Sequence, residues 1–276
     1  MNATIRKILT TNNVSRRIYC AAREAYHIRR VYRGARRYFV NAHQFNEALH
    51  AKSVTSSVDL RTIDGLTITI RQNYGDAMTI AEIFLDDCYI RDLSVPPNPV
   101  VIDVGGFIGD FALYAVKRLN AKKVIVCEPS PRNWELLLRN IDNNGYTGRI
   151  LPLNKAVTDG ADLMMNIDAP DEAQCMVSGY LHTDQPLRSI PGISLSQIMR
   201  DYDLERVDLL KIDCEGGEYA ILDSTASDVY ARIRNIVFEY HDVEDGWTKL
   251  EKAKQRLQRE GYTLRSGRGL ISASRD

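Results

Sequence analysis

From residue 99 onward the apolar positions fall into short continuous runs, and amphipathic stretches of helical period lie between them. Val100–Val104, Lys123–Cys127, Ile150–Asn154, Val207–Asp213 and Arg234–Tyr240 have strand length. The intervening segments bring apolar residues round every three or four positions. Phe111, Tyr114, Ala115 and Leu119 form one such stripe, and Trp134, Leu137, Leu138 and Ile141 another. Further helices are predicted over Ser194–Tyr202, from Gly217–Leu222 and over Thr248–Glu260. Strand patterns alternating with helices predict an α/β fold, a mostly parallel sheet with helices on both faces, because each parallel crossover returns the chain through a covering helix. Ser130-Pro131 starts its helix with a capping hydroxyl and a residue whose missing N–H is not needed in the first turn, and Asn144-Gly145 stops it. Tyr262–Arg265 and Gly269–Ser272, joined by Ser266-Gly267-Arg268, predict a closing hairpin.

Before residue 99 the pattern changes. Leu66–Arg71 alternates as a strand, Met78–Tyr89 has helical spacing through Ile80, Ile83, Phe84 and Cys88, and Pro96-Pro97-Asn98-Pro99 breaks the chain ahead of the first core strand. Residues 41–60 are polar and predict a linker or a loose helix. The expected organisation is a basic N-terminal helical arm and linker over 1–60 and a catalytic domain over 61–276. Within that domain, 61–98 is a cap and 99–276 a Rossmann-like core. The irregular stretch Asp159–Gly192, with alternation near Leu163–Ile167, is assigned to acceptor recognition, with a plain disordered loop as the blander reading.

At 276 residues and 44% hydrophobic, the chain can bury one substantial core. Its five cysteines are odd in number and include no C-x-x-C pair, so neither a disulfide framework nor a zinc site is suggested. No apolar run approaches the roughly 18 residues of a membrane span, and no signal peptide is visible, so a cytoplasmic protein is expected. The formal net charge of zero hides an asymmetry: residues 1–50 hold ten Lys/Arg against two acids, a net of +8, and the rest carries −8. Between residues 16 and 40 arginines alternate with tyrosines and aliphatics. Such a segment can fold back on the acidic domain, touch an anionic membrane as a peripheral contact, or, as the least favoured option, hold nucleic acid.

The candidate chemistry sits at strand ends. Asp103-Val104-Gly105-Gly106-Phe107-Ile108-Gly109-Asp110 follows the first core strand, and Glu128 ends the second. A glycine turn after a strand and an acid after the next is how a Rossmann-like sheet holds an adenosine-bearing cofactor. Asp103 would repel a pyrophosphate but suits the sulfonium and ammonium of S-adenosylmethionine, which favours a methyl donor over NAD. Glu128 is placed to accept from the ribose hydroxyls. Asp213, Glu215 and Glu218 lie after the fourth strand, and Glu239, Tyr240 and His241 after the fifth, so these groups should face the same crevice. Each alone could be a helix cap or a solvated loop residue.

Together these blocks resemble the FkbM family of S-adenosylmethionine-dependent methyltransferases, within the class I methyltransferase fold. The resemblance runs from Met78 to Tyr262 and rests on Asp103–Gly109, Glu128-Pro129-Ser130-Pro131, Asn154-Lys155-Ala156-Val157, Leu210–Glu218 and Phe238-Glu239-Tyr240-His241. It implies a seven-stranded sheet whose last strand is antiparallel, and methyl transfer to a hydroxyl on a sugar, glycan or natural-product acceptor. The family's first motif runs D-x-G-A-N-x-G, and here Gly106 and Phe107 replace alanine and asparagine, with Asp110 placed to compensate. Asp103, Gly105, Gly106, Gly109 and Asp110 are expected at the methionine end, Glu128 at the ribose, and Asn154 and Ala156 at the adenine edge. An alcohol acceptor needs a general base, for which His241 and Asp213 are the candidates, with Glu215 and Glu239 beside them. A histidine at its unperturbed pKa of ~6.5 would be neutral and ready to take a proton. No resident metal is assigned, although Asp213, Glu215 and Glu239 could instead gather a divalent cation. NAD-linked hydride transfer and a non-catalytic cofactor-binding scaffold are the competing functions.

Overall fold

Every residue of strand Val100–Val104 is buried, and its side chains alternate between two hydrophobic clusters, one on each face of the sheet. The computed structural model describes residues 28–51, 56–165, 188–241 and 245–275. A helical stretch over residues 28–38 leads into α1 (Ala42–His50), the antiparallel hairpin β1 (Ser57–Arg61) and β2 (Thr67–Arg71), and α2 (Tyr74–Phe84). There follow β3 (Val100–Val104), α3 (Asp110–Arg118), β4 (Lys123–Cys127), α4 (Pro131–Asn143) and β5 (Ile150–Leu153). Short strands β6 (Ala156–Val157), β7 (Leu163–Met165), β8 (Arg188–Ile190) and β9 (Gly192–Ile193) precede α5 (Leu195–Asp201). The chain continues through β10 (Val207–Ile212), α6 (Glu218–Ser224), α7 (Ser227–Tyr230), β11 (Ile233–Glu239) and α8 (Gly246–Arg259), and closes with β12 (Thr263–Gly267) and β13 (Leu270–Ser274).

The main sheet has seven strands in the order β12-β13-β11-β10-β3-β4-β5. The pairs from β11 through β10, β3 and β4 to β5 are parallel, and β13, the last strand in the chain, is antiparallel to both neighbours. Rossmann-like architecture with an antiparallel last strand is therefore what the chain adopts. The order reverses at β3, which β4 flanks on one side and β10 on the other. Ligands in such sheets bind beyond the carboxyl ends at that reversal. The closing turn is Arg268-Gly269, one residue later than expected, with φ of 53° and 84°. Two left-handed residues in succession match the twist of a two-residue hairpin. Among the described residues no helix is long and apolar enough to cross a membrane.

Of the linker or loose helix expected over residues 41–60, the chain forms a helix over Ala42–His50, and that helix is packed into the core. Phe45, Ala48 and Leu49 on α1 are buried at i, i+3 and i+4, and with Val31, Ala35 and Phe39 they join the cluster under β3 and β4. Residues 16–27 of the basic arm and 166–187 of the acceptor-loop assignment lie outside the described residues.

Helix α4 corrects a second expectation. Leu138, read as part of the buried stripe, is 41% exposed, whereas Asn133 and Asn140 are buried. The asparagines are inside because that face meets the edge of β2. Asn140 Oδ1 accepts from Thr69 N–H, and its Nδ2 donates to the carbonyls of Thr69 and Ile108. Asn144 does the same for Thr67 N–H and C=O. Two amides thus complete the hydrogen bonding of a strand edge that would otherwise be unpaired. Asn140→Ala should cost about 3 kcal/mol, because it leaves buried backbone groups without partners. The exposed neighbouring change Arg139→Ala should stay within about 0.5 kcal/mol in the same denaturant titration.

Candidate active site

Lys211 interrupts the apolar run of β10, and Asp103 is its register partner on β3. Both are buried, and Nζ lies 3.1 Å from Asp103 Oδ1. Nζ also donates to the Gly105 carbonyl at 2.6 Å and sits 5.3 Å from the centroid of the Tyr89 ring. Burial opposes the ammonium, but Asp103, Asp213 and Asp110 outweigh it and raise its pKa. Asp103 therefore neutralises Lys211 and is not on the cleft wall, which corrects the expectation that it faces the cofactor directly. A lone lysine in a fully buried strand requires an acid partner, and that was the available signal.

The turn after β3 is held by close approach. Gly105 has φ of 79°, and a Cβ there would lie 1.7 Å from the Asp213 carbonyl oxygen. The N–H groups of Gly105 and Gly106 both donate to the Cys127 carbonyl. Phe107 adopts a left-handed φ of 47°, a conformation that asparagine tolerates better than phenylalanine. Its N–H donates to Glu128 Oε2 at 2.8 Å, and Ser130 N–H donates to Oε1 at 2.8 Å. Burial pushes Glu128 up to about 7. Arg71, at the end of β2, stacks 5.0 Å from the centroid of the Phe107 ring, grips Asp76 through Nε and Nη2, and donates from Nη1 to Asn133. Asn133 in turn reaches Glu128. No motif in the sequence marked this buried arginine.

A cleft of about 500 Å³ opens beyond these strand ends. Of the expected cofactor residues, Gly105, Asp110, Glu128 and Ala156 line it. Asp103, Gly106, Gly109 and Asn154 do not. Gly109 instead caps α3, and Asn154 Nδ2 donates to the Glu128 carbonyl. Asp110 is buried, with Oδ1 on the Phe111 N–H and Oδ2 without a hydrogen-bond partner, and burial pushes it up to about 7.

Asp213, Glu215, Glu239 and His241 all line the same cleft, joined by Glu82 from α2 and by Tyr89. Neither of the last two was anticipated. Tyr89 OH donates to Asp213 Oδ2. Glu218 is fully buried, accepts from the N–H groups of Cys214 and Gly216, and meets His241 Nδ1 at 3.0 Å. His241 Nε2 lies 3.3 Å from Glu215 Oε2 and 3.8 Å from Asp213 Oδ1. Burial opposes the imidazolium, yet the Glu218 hydrogen bond and the charges of Glu218, Glu215 and Asp213 push His241 up to about 9. It is protonated at neutral pH, which corrects its expected role as a neutral proton acceptor. Burial pushes Glu215 up to about 7 against the pull of His241, and burial with repulsion from Asp213 does the same to Glu239. Asp213, Glu239 and His241 each offer a donor atom within 4.8 Å of the others. A divalent cation could use that set only after His241 had lost its proton.

Residues 103–264 match the Methyltransferase FkbM domain. The chain is similar to Methyltransferase sdnD of Sordaria araneosa, 27% identical over 222 residues that span 68% of this chain and 83% of that one. It is also similar to the 31-O-demethyl-FK506 methyltransferase FkbM of Streptomyces tacrolimicus, 29% identical over 238 residues that span 74% and 88% of the two chains. The crystal structure of Methyltransferase FkbM from Methylobacillus flagellatus KT superposes with a TM-score of 0.48 at 16% identity, covering 67% of this chain and 46% of that one.

Because the folded state raises the pKa of His241, its stabilising contribution is complete below the unfolded value of ~6.5 and disappears as pH rises through about 9. The difference in melting temperature between wild type and His241→Asn should therefore be large near pH 7 and close as the pH passes 9, read by thermal denaturation across that range.

Proposed function

As the chain belongs to the Methyltransferase FkbM domain family, we propose that it transfers a methyl group from S-adenosylmethionine to a hydroxyl on a sugar, glycan or natural-product acceptor. The observation that carries the cofactor assignment is Asp110 Oδ2, a buried carboxylate oxygen on the cleft wall with no partner. Such an atom calls for a cationic or hydrogen-bond-donating ligand. The glycine turn gives a dinucleotide little to hold, since the N–H groups of Gly105, Gly106 and Phe107 are already spent on Cys127 and Glu128. In this reading Asp110 and the Gly105 backbone flank the methionine end, Glu128 accepts from the ribose, and Ala156 borders the adenine. Asp103 acts at one remove, by fixing Lys211.

S-adenosylmethionine, when bound, supplies the electrophilic methyl group. The chain's task is to hold the acceptor and remove its proton. Glu239 is the base best suited to this. Its side chain has no hydrogen bond among the described residues, and a carboxylate near 7 matches the working pH. The imidazolium of His241, clamped by Glu218, offsets the charge of Asp213 and Glu215 and leaves Glu239 free to accept. The name of the 31-O-demethyl-FK506 methyltransferase supports a small-molecule acceptor.

Calorimetry should show binding of S-adenosylmethionine and none of NAD. Glu239→Gln should keep that binding while lowering methyl transfer from labelled cofactor to a panel of sugars and polyketide alcohols by about 100-fold. Wild-type turnover should rise through pH 7 as Glu239 ionises and fall through pH 9 as His241 loses its proton. Tight NAD binding without S-adenosylmethionine binding, or full turnover in Glu239→Gln, would refute the assignment.

A further inference from the structure

Helical residues 28–38 present a charged surface that the proposed chemistry leaves unused. Val31, Ala35 and Tyr38 bury one side of this helix against the domain, while Arg29, Arg30, Arg33, Arg36 and Arg37 are exposed. At about 100° per residue, Arg29, Arg33 and Arg36 share one narrow stripe, with Arg37 and Arg30 along its flank. Arg30 reaches Asp86 at 2.6 Å. Among the described residues the other arginines of the stripe have no acidic partner, and the sequence carries no acid between Glu24 and Glu47. Immediately after the helix, Val40 N–H donates to the Arg61 carbonyl and Ile63 N–H to the Tyr38 carbonyl. These bonds tie together the segments that carry two unusually exposed aliphatic side chains, Val40 at 66% and Ile63 at 68%.

We propose that this face docks the protein reversibly on an anionic membrane surface, with the arginines against lipid phosphates and Val40 and Ile63 entering the headgroup boundary. The two components are those of peripheral binding: a cluster of cations drawn to the negative leaflet, and apolar side chains with somewhere to go. A phosphate backbone would answer the arginines but not the aliphatic pair. The described part of the face also offers no exposed aromatic ring on which bases could stack, since Tyr32 is half-buried and Tyr38 buried. Because the whole chain has zero net charge, no overall charge of the protein adds to the attraction at this face.

The test is co-sedimentation of the full chain with phosphatidylcholine vesicles, with and without about one-third phosphatidylglycerol, across a salt series. Binding should require the anionic lipid and weaken with salt. Arg29→Gln, Arg33→Gln and Arg36→Gln together should lower partitioning by about 100-fold, at about fivefold for each charge removed. Val40→Ser with Ile63→Ser should weaken binding while leaving its salt dependence unchanged. All these side chains are exposed, so melting curves should match wild type and separate lost docking from lost folding. The proposal is overturned by absent binding, by equal binding to neutral vesicles, or by insensitivity to the arginine changes. It is equally overturned if single-stranded RNA competes fully and the Val40 and Ile63 changes have no effect, which would assign the face to nucleic acid.

Discussion

The buried pair between Asp103 and Lys211 is the interaction on which the site's geometry depends. Two charges taken out of water repay that cost only when each is well placed, and removing either one strands the other at a cost of about 3–5 kcal/mol. Here the ammonium spans the seam between the strands at which the sheet order reverses, and it also holds the carbonyl of Gly105. On the far side of that glycine, the Asp213 carbonyl occupies the space a side chain would need. The glycine turn and the loop that carries Asp213 are thus packed directly against each other at the mouth of the cleft.

Much of this fold was legible in the sequence. The five parallel strands of the core were located to within a residue or so, because buried strands leave short apolar-rich segments between stretches of helical period. Less legible were elements whose inward residues are polar. Asn133 and Asn140 face inward to bond Arg71 and the edge of β2, so an apolar stripe was sought on the wrong side of α4 and Leu138 was placed inside. The helix over Ala42–His50 has only a sparse apolar face, and its register shows once Phe45, Ala48 and Leu49 meet the domain.

The site was legible in its membership more than in its charge states. Asp213, Glu215, Glu239 and His241 do share one cleft, as expected of groups at the carboxyl edge of a parallel sheet. That His241 is a cation could not be read from spacing, since it arises from carboxylates on both sides of a tight loop, one of them the buried Glu218. Negative charge is also distributed differently from the expectation. Asp103 is spent on its ion pair with a lysine behind the cleft, and the buried carboxylate oxygen without a partner on the cleft wall belongs to Asp110, at the start of α3. Glu82 and Tyr89 come from the N-terminal layer and belong to no motif of the core.

That layer also supplies Arg71, whose guanidinium rests on Phe107 and reaches Glu128 through Asn133. A shortened chain beginning at residue 99 would retain every signature residue of the core and pass any motif inventory as complete. It would nonetheless lack the brace behind its glycine turn and the Glu82 carboxyl and Tyr89 phenol that line the cleft. In this protein the residues that build the site extend beyond the pattern by which the fold is recognised.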